Sequence, residues 1–130
     1  MQQERGTTVR ILIVDDSQAI LTFMSRALNS SQGTEVIGSA VNGAEAVERA
    51  DELLPDVVIM AVDMPIMDGL EATKRIKRAH PAMVVVLVSG SADSLAAGVS
   101  AGADGYIAKP LNADSLICRV MGNSERTDTH

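Results

Sequence analysis

The chain is poor in aromatic residues. Phe23 and Tyr106 are the whole inventory, 2% of 130 residues, and tryptophan is absent. Stacking of nucleic-acid bases on aromatic side chains is thereby nearly excluded, and a core must be built from Val, Ile, Leu, Ala and Met. Excess positive charge is missing too. Eleven Lys and Arg stand against 17 Asp and Glu, a formal net charge of −6, so the electrostatic footprint of a DNA or RNA binder is lacking. Cysteine occurs once, at Cys118. It forbids an internal disulfide, leaves no companion thiols for a zinc site, and makes a reducing, cytoplasmic setting the expectation. No apolar run reaches the roughly 18 residues of a membrane span. The polar start, Met1–Thr8, has no apolar stretch of a signal peptide.

What is present is an ordinary globular balance, 46% apolar and 22% charged, in a length that suits one domain. The expected folded unit is 9–122, with flexible tails at 1–8 and 123–130. Apolar runs recur at Val9–Val14, Val36–Val41, Val57–Val62, Met83–Val88 and Tyr106–Ala108. The first, third and fourth are near-continuous, as in parallel strands covered on both faces. Helical spacing lies between them. Ile20, Met24, Ala27 and Leu28 form one stripe, and Asn42 with Glu45, like Asp68 with Glu71, forms a capping box. Pro81 stops the third helix after His80. Asn112 opens a last helix with Leu116, Ile117, Val120 and Met121 inward and Gly122 at its close, Cys118 being read as buried there. Ser91–Ala101, with Gly98 inside, reads as a weak helix, short or mobile. Strand and helix alternate, which means an α/β doubly wound parallel sheet with helices on both faces.

In such a sheet the working residues gather at the carboxyl ends of the strands. The first run ends in Asp15 and Asp16, the fourth in Ser89, the fifth in Lys109 followed by Pro110. Two hard carboxylates suit Mg2+. A lysine opposite them can neutralise the pair or an incoming phosphoryl group, and a hydroxyl can donate to a phosphoryl oxygen. Each alone has a plainer reading: a turn, a helix start, a surface lysine. Together they describe a phosphoryl-transfer site without an acceptor. The basic cluster Lys74, Arg75, Lys77 and Arg78 reads as a solvated helix face, and Met60, Met64 and Met67 as core filler.

The third strand runs on through Asp63-Met64-Pro65 to Met67-Asp68-Gly69. With Asp15-Asp16, Ser89-Gly90 and Gly105-Tyr106 through Lys109-Pro110, the sequence resembles a response-regulator receiver domain of two-component signalling, over about Val9 to Gly122. The resemblance implies a flavodoxin-like five-stranded sheet of order 2-1-3-4-5 and a signalling module, not an enzyme. It implies Asp16 as a direct Mg2+ ligand, Asp15 as an outer one and the backbone carbonyl of Asp63 as a third contact. Ser89 becomes the switch hydroxyl, Tyr106 the switch aromatic and Lys109 the charge clamp, with a cis bond between Lys109 and Pro110. The aspartate that takes the phosphoryl group should stand three residues before Met64, and that position is Ala61. The chain is thus a phosphoacceptor-deficient receiver with weakened Mg2+ binding and Tyr106 outward, as in a resting form. The favoured explanation is an engineered replacement of aspartate by Ala61. The alternative is a natural phosphorylation-independent pseudo-receiver that acts as a protein-binding module. Implied partners are a sensor histidine kinase or phosphotransfer protein, and a second receiver through the face of the fourth helix, fifth strand and fifth helix. No nucleic acid and no membrane are implied. The stretch from Ser89 to Lys109 is a couple of residues shorter than the family leads one to expect.

Overall fold

A computed structural model of the chain describes residues 8–125. Residues 1–7 and 126–130 of the expected tails lie outside the described residues, while 123–125, expected as tail, are helical. Strands and helices alternate as β1 (Val9–Val14), α1 (Gln18–Asn29), β2 (Thr34–Ala40), α2 (Gly43–Leu53), β3 (Val57–Ala61), α3 (Gly69–Ala79), β4 (Val84–Ser89), α4 (Ala92–Ala101), β5 (Gly105–Ala108) and α5 (Ala113–Glu125). The strands form one sheet of order β2-β1-β3-β4-β5, and every pairing is parallel. The fold class expected from the alternation is the one observed.

Successive strand residues point to opposite faces, and the core divides accordingly. Ile11, Ile13, Val57, Ile59, Val86 and Val88 meet Leu21, Met24 and Leu28 of α1 and Leu116 and Val120 of α5. Leu12, Val14, Val58, Met60, Val85 and Leu87 meet Ala46 and Ala50 of α2 and Ala72 and Ile76 of α3. The small alanines let α2 and α3 lie close to the sheet, which offsets the lack of aromatic bulk.

Local signals set the helix starts. Asn42 caps α2 by accepting from the Glu45 amide at 2.8 Å, and the Glu45 carboxylate accepts from the Val41 amide at 3.0 Å. The box at α3 is only half made. Asp68 accepts from the Glu71 amide at 2.9 Å, but the Glu71 carboxylate turns to Arg75 instead, also at 2.9 Å. Asn112 accepts from the Ser115 amide at 2.8 Å, so α5 starts where expected.

Three expectations are corrected. Gly122 does not close α5, which runs on to Glu125; a glycine stops a helix only where the chain then turns. Cys118 is exposed, because Leu116 and Val120 define the inward stripe and residue 118 lies on the far side of the helix. Lys77 is not part of a solvated face. Its ammonium donates to the Pro81 and Met83 carbonyls and the Asp104 carboxylate at 2.9, 2.7 and 2.8 Å. Ser91–Ala101 forms a helix where expected, at 10 residues the shortest of the five described, capped by Ser91 through the Asp93 and Ser94 amides. No described helix is long and apolar enough to cross a membrane.

Candidate functional site

The parallel register brings the chemistry to one row. Val14 stands beside Met60, Ala61 beside Val88, and Ser89 beside Ala108. One step beyond these partners lie Asp15, Ala61, Ser89 and Lys109, at the carboxyl edge of four adjacent strands. Asp15 and Ala61 continue the odd-numbered stripe of Ile11, Ile13, Val57 and Ile59, so both belong to the face that α1 and α5 cover.

Asp15 is the unusual group. Its side chain is 3% exposed, and one carboxylate oxygen accepts from the Ser17 amide at 2.9 Å. Burial pushes its carboxyl above the ordinary value of 3.8, against the Ser17 hydrogen bond and the charge of Lys109, while Asp16 pushes it further up. A carboxylate so placed is short of positive charge. Asp16 and Asp63 are exposed. Among the described residues no three His, Cys, Asp or Glu side chains form a metal cluster. The donor set for a cation is therefore two adjacent carboxylates plus backbone carbonyls and water. That set is hard, oxygen-only and incomplete, and it fits Mg2+, which keeps several waters.

Ala61 is buried, at 4% exposure, with no oxygen to offer. The loop behind it is tightly held. The Gly69 amide donates to the Val62 carbonyl at 2.8 Å, and a Cβ on Gly69 would stand 2.2 Å from the Ala61 carbonyl oxygen. Only glycine lets α3 begin so close to the end of β3.

Ser89 and Tyr106 are joined through one residue. The Ser91 amide donates to the Ser89 hydroxyl at 3.1 Å, and the Tyr106 hydroxyl donates to the Ser91 carbonyl at 2.8 Å. Ser89 is 4% exposed. The Tyr106 ring is half-buried against Leu87 and the rest of the α2–α3 side of the core. The expectation of Tyr106 outward is thus corrected. Its hydroxyl finds an acceptor in the backbone at the start of α4, and that needs no group at position 61. The Lys109–Pro110 bond is cis, as the resemblance implied. Lys109, Pro110 and Leu111 with Ile20 and Phe23 of α1 line an open groove of about 290 Å³ beside the site.

Two features escaped the sequence reading. Lys77, with its three acceptors, had no readable signal, since they lie up to 27 residues away. Ile66, in the loop between β3 and α3, has φ +70°, and the motif around it does not announce that conformation.

Residues 11–121 match the family model described as the response regulator receiver domain. The chain is 42% identical over 112 residues to a protein-glutamate methylesterase/protein-glutamine glutaminase of Geobacillus kaustophilus, covering 84% of this chain and 32% of that protein. It is 36% identical over 115 residues to the transcriptional regulatory protein LnrK of Bacillus subtilis, covering 87% and 52%. The chain therefore spans about a third to a half of the length of these curated relatives. Among solved structures it resembles the response regulator domain of Thermotoga maritima CheB, with TM-score 0.79, 30% identity, and 92% and 95% of the two chains covered. The CheX–CheY complex with BeF3 and Mg2+ from Borrelia burgdorferi gives TM-score 0.85, 28% identity, and 95% and 94% coverage. With the fold, the strand-end row and the family match in agreement, this chain belongs to the response-regulator receiver family.

Proposed function

We propose that the chain is a receiver whose phosphoryl-transfer site is complete except for the acceptor. The observation that carries this reading is Ala61, buried in the row between Asp15 and Ser89, where a nucleophilic carboxylate would have to stand. Asp16 directly, Asp15 from behind and the Asp63 backbone carbonyl would hold Mg2+, which when bound spreads the charge of phosphoryl oxygens. Its binding is weaker than with a third carboxylate at position 61. Lys109 supplies a compact positive charge, and the Ser89 hydroxyl a donor. A phosphohistidine on a sensor kinase or phosphotransfer protein would lose its N–P bond as a carboxylate oxygen at position 61 gained the phosphoryl group. Ala61 has no such oxygen, and Asp63, two residues on and exposed, is displaced from the near-attack position that transfer requires. The module acts in the cytoplasm and meets other proteins, including a second receiver, through α4, β5 and α5.

The second reading, a natural phosphorylation-independent binding module, is supported by one observation. Tyr106 is already held inward through Ser91 with no phosphoryl group required. Amide spectra with beryllofluoride and Mg2+ test the proposal. Ala61→Asp should give saturable shifts around Ser89 and Tyr106, and the chain with Ala61 should give almost none. Large, saturable shifts with Ala61 in place would show that the site acts without an acceptor carboxylate, and the proposal would fall.

A further inference from the structure

Helices α2 and α3 lie side by side and are tied at both ends. The Gly43 amide, at the start of α2, donates to the Met67 carbonyl just before α3 at 2.9 Å. Towards the other end, His80, which caps α3, meets the Asp51 carboxylate of α2 at 2.7 Å. Each helix has 11 residues and begins on a glycine, Gly43 or Gly69. They also bury the same positions. The fourth and eighth residues, Ala46 and Ala50 in α2 and Ala72 and Ile76 in α3, pack into the core. The sixth and tenth stand two residues further on, about 200° round the helix, and so face outward. In α2 these are Glu48 and Glu52; in α3 they are Lys74 and Arg78. All four are exposed, and among the described residues none of them has an ion pair.

The outer layer thus carries an acidic row and a basic row, side by side and at matching heights. The other charges of the two helices are placed differently. The Glu45 carboxylate accepts from the Val41 amide, and Glu71 pairs with Arg75. Lys77 is spent on the Pro81 and Met83 carbonyls and Asp104. Asp51, which reaches His80, marks the flank of α2 that faces α3, so Arg49, two residues away, lies on the opposite flank.

We infer that the α2–α3 face is self-complementary and that its partner is a second copy of this chain. A two-fold axis parallel to the helices and running between them keeps height and exchanges α2 with α3. It sets Glu48 against Lys74 of the partner subunit and Glu52 against Arg78 of the partner subunit, and symmetry forms both pairs a second time. An axis across the helices would instead lay α2 on α2, acid on acid. Both helices start at the carboxyl edge of the sheet, so the parallel axis leaves the two strand-end rows uncovered at one end of the pair. The face is separate from that of α4, β5 and α5, and the inference does not rest on the receiver reading. Two helices about 16 Å long and about 9 Å apart offer far less than the roughly 800 Å² per partner of a stable complex. Exposed ion pairs add little each. The association is therefore weak and transient.

Sedimentation equilibrium at up to about 1 mM chain, where small polar interfaces associate, tests the inference. The weight-average mass should climb above 13.7 kDa with concentration. Lys74→Glu with Arg78→Glu makes both rows acidic, and Glu48→Lys with Glu52→Lys makes both basic. Each double variant should raise Kd by about tenfold or more, although the first makes the chain more negative and the second less so. All four changes together exchange the rows, keep the net charge at −6 and should return Kd to within about twofold of the parent. The sites are exposed, and Glu, Lys and Arg are all good helix formers, so the variants keep the fold. The two double variants, mixed, should associate with each other. A parent that stays at 13.7 kDa throughout, a double variant with the parent's Kd, a four-change chain that stays monomeric, or a mixture that does not associate would each overturn the inference.

Discussion

Asp15 shows how a buried charge acts against the fold that holds it. Its carboxyl titrates above the ordinary value because burial disfavours the charge. The folded chain therefore binds more protons than the unfolded chain between the two values, so stability falls as pH rises through that window. Above the window the cost is fully present. Asp15→Asn, which keeps the oxygen that accepts from Ser17, should be more stable at pH 7 by about 1 kcal/mol, the usual scale for relieving a site residue. Below pH 3.8 the advantage should vanish. Urea unfolding at both pH values with a chelator present checks this; equal stability at pH 7 would contradict it. Asp15 was legible as a candidate site residue from its place after the first strand and its neighbour Asp16. That it is almost fully buried was not, because burial at a strand end depends on how α1 crosses the sheet.

At the scale of elements, strands were read well and helix ends less well. Continuous β-branched runs gave β1, β3 and β4 to within a residue, since burial on both faces leaves no room for polar positions. The end of α5 was misread at Gly122, because a glycine's role depends on the next few residues. Lys77 was misread as solvent-facing because its partners come from two separate turns. Its ammonium joins the α3–β4 turn to Asp104, whose carboxylate also accepts from the Val85 amide at 2.9 Å. The start of β5 is thereby pinned to the start of β4. Lys77→Met would take the Lys77 donor from the Pro81 and Met83 carbonyls and leave the Asp104 carboxylate with the Val85 amide. It should cost about 1 kcal/mol, the low end of the range for orphaned polar groups, because Pro81 and Asp104 are exposed. The loss should appear as faster amide exchange at Gly102–Tyr106. Unchanged exchange there, with or without a fall in melting temperature, would show that Lys77 does not hold this segment.

For the whole molecule, fold and site became legible together because a doubly wound sheet sends its working residues to one edge. Alternation gave the sheet, and the residues after the first, fourth and fifth runs gave the row. Geometry that depends on loops was beyond reach, above all the inward Tyr106 and the turn at Ile66. The proposed reading makes the whole a phosphoryl-transfer site that lacks a single side chain. Incubation with acetyl phosphate and Mg2+, followed by intact mass, tests that claim most directly. The chain with Ala61 should gain no phosphate, and Ala61→Asp should gain one acid-labile phosphoryl group. A stoichiometric adduct on the chain with Ala61, or none on Ala61→Asp, would contradict it.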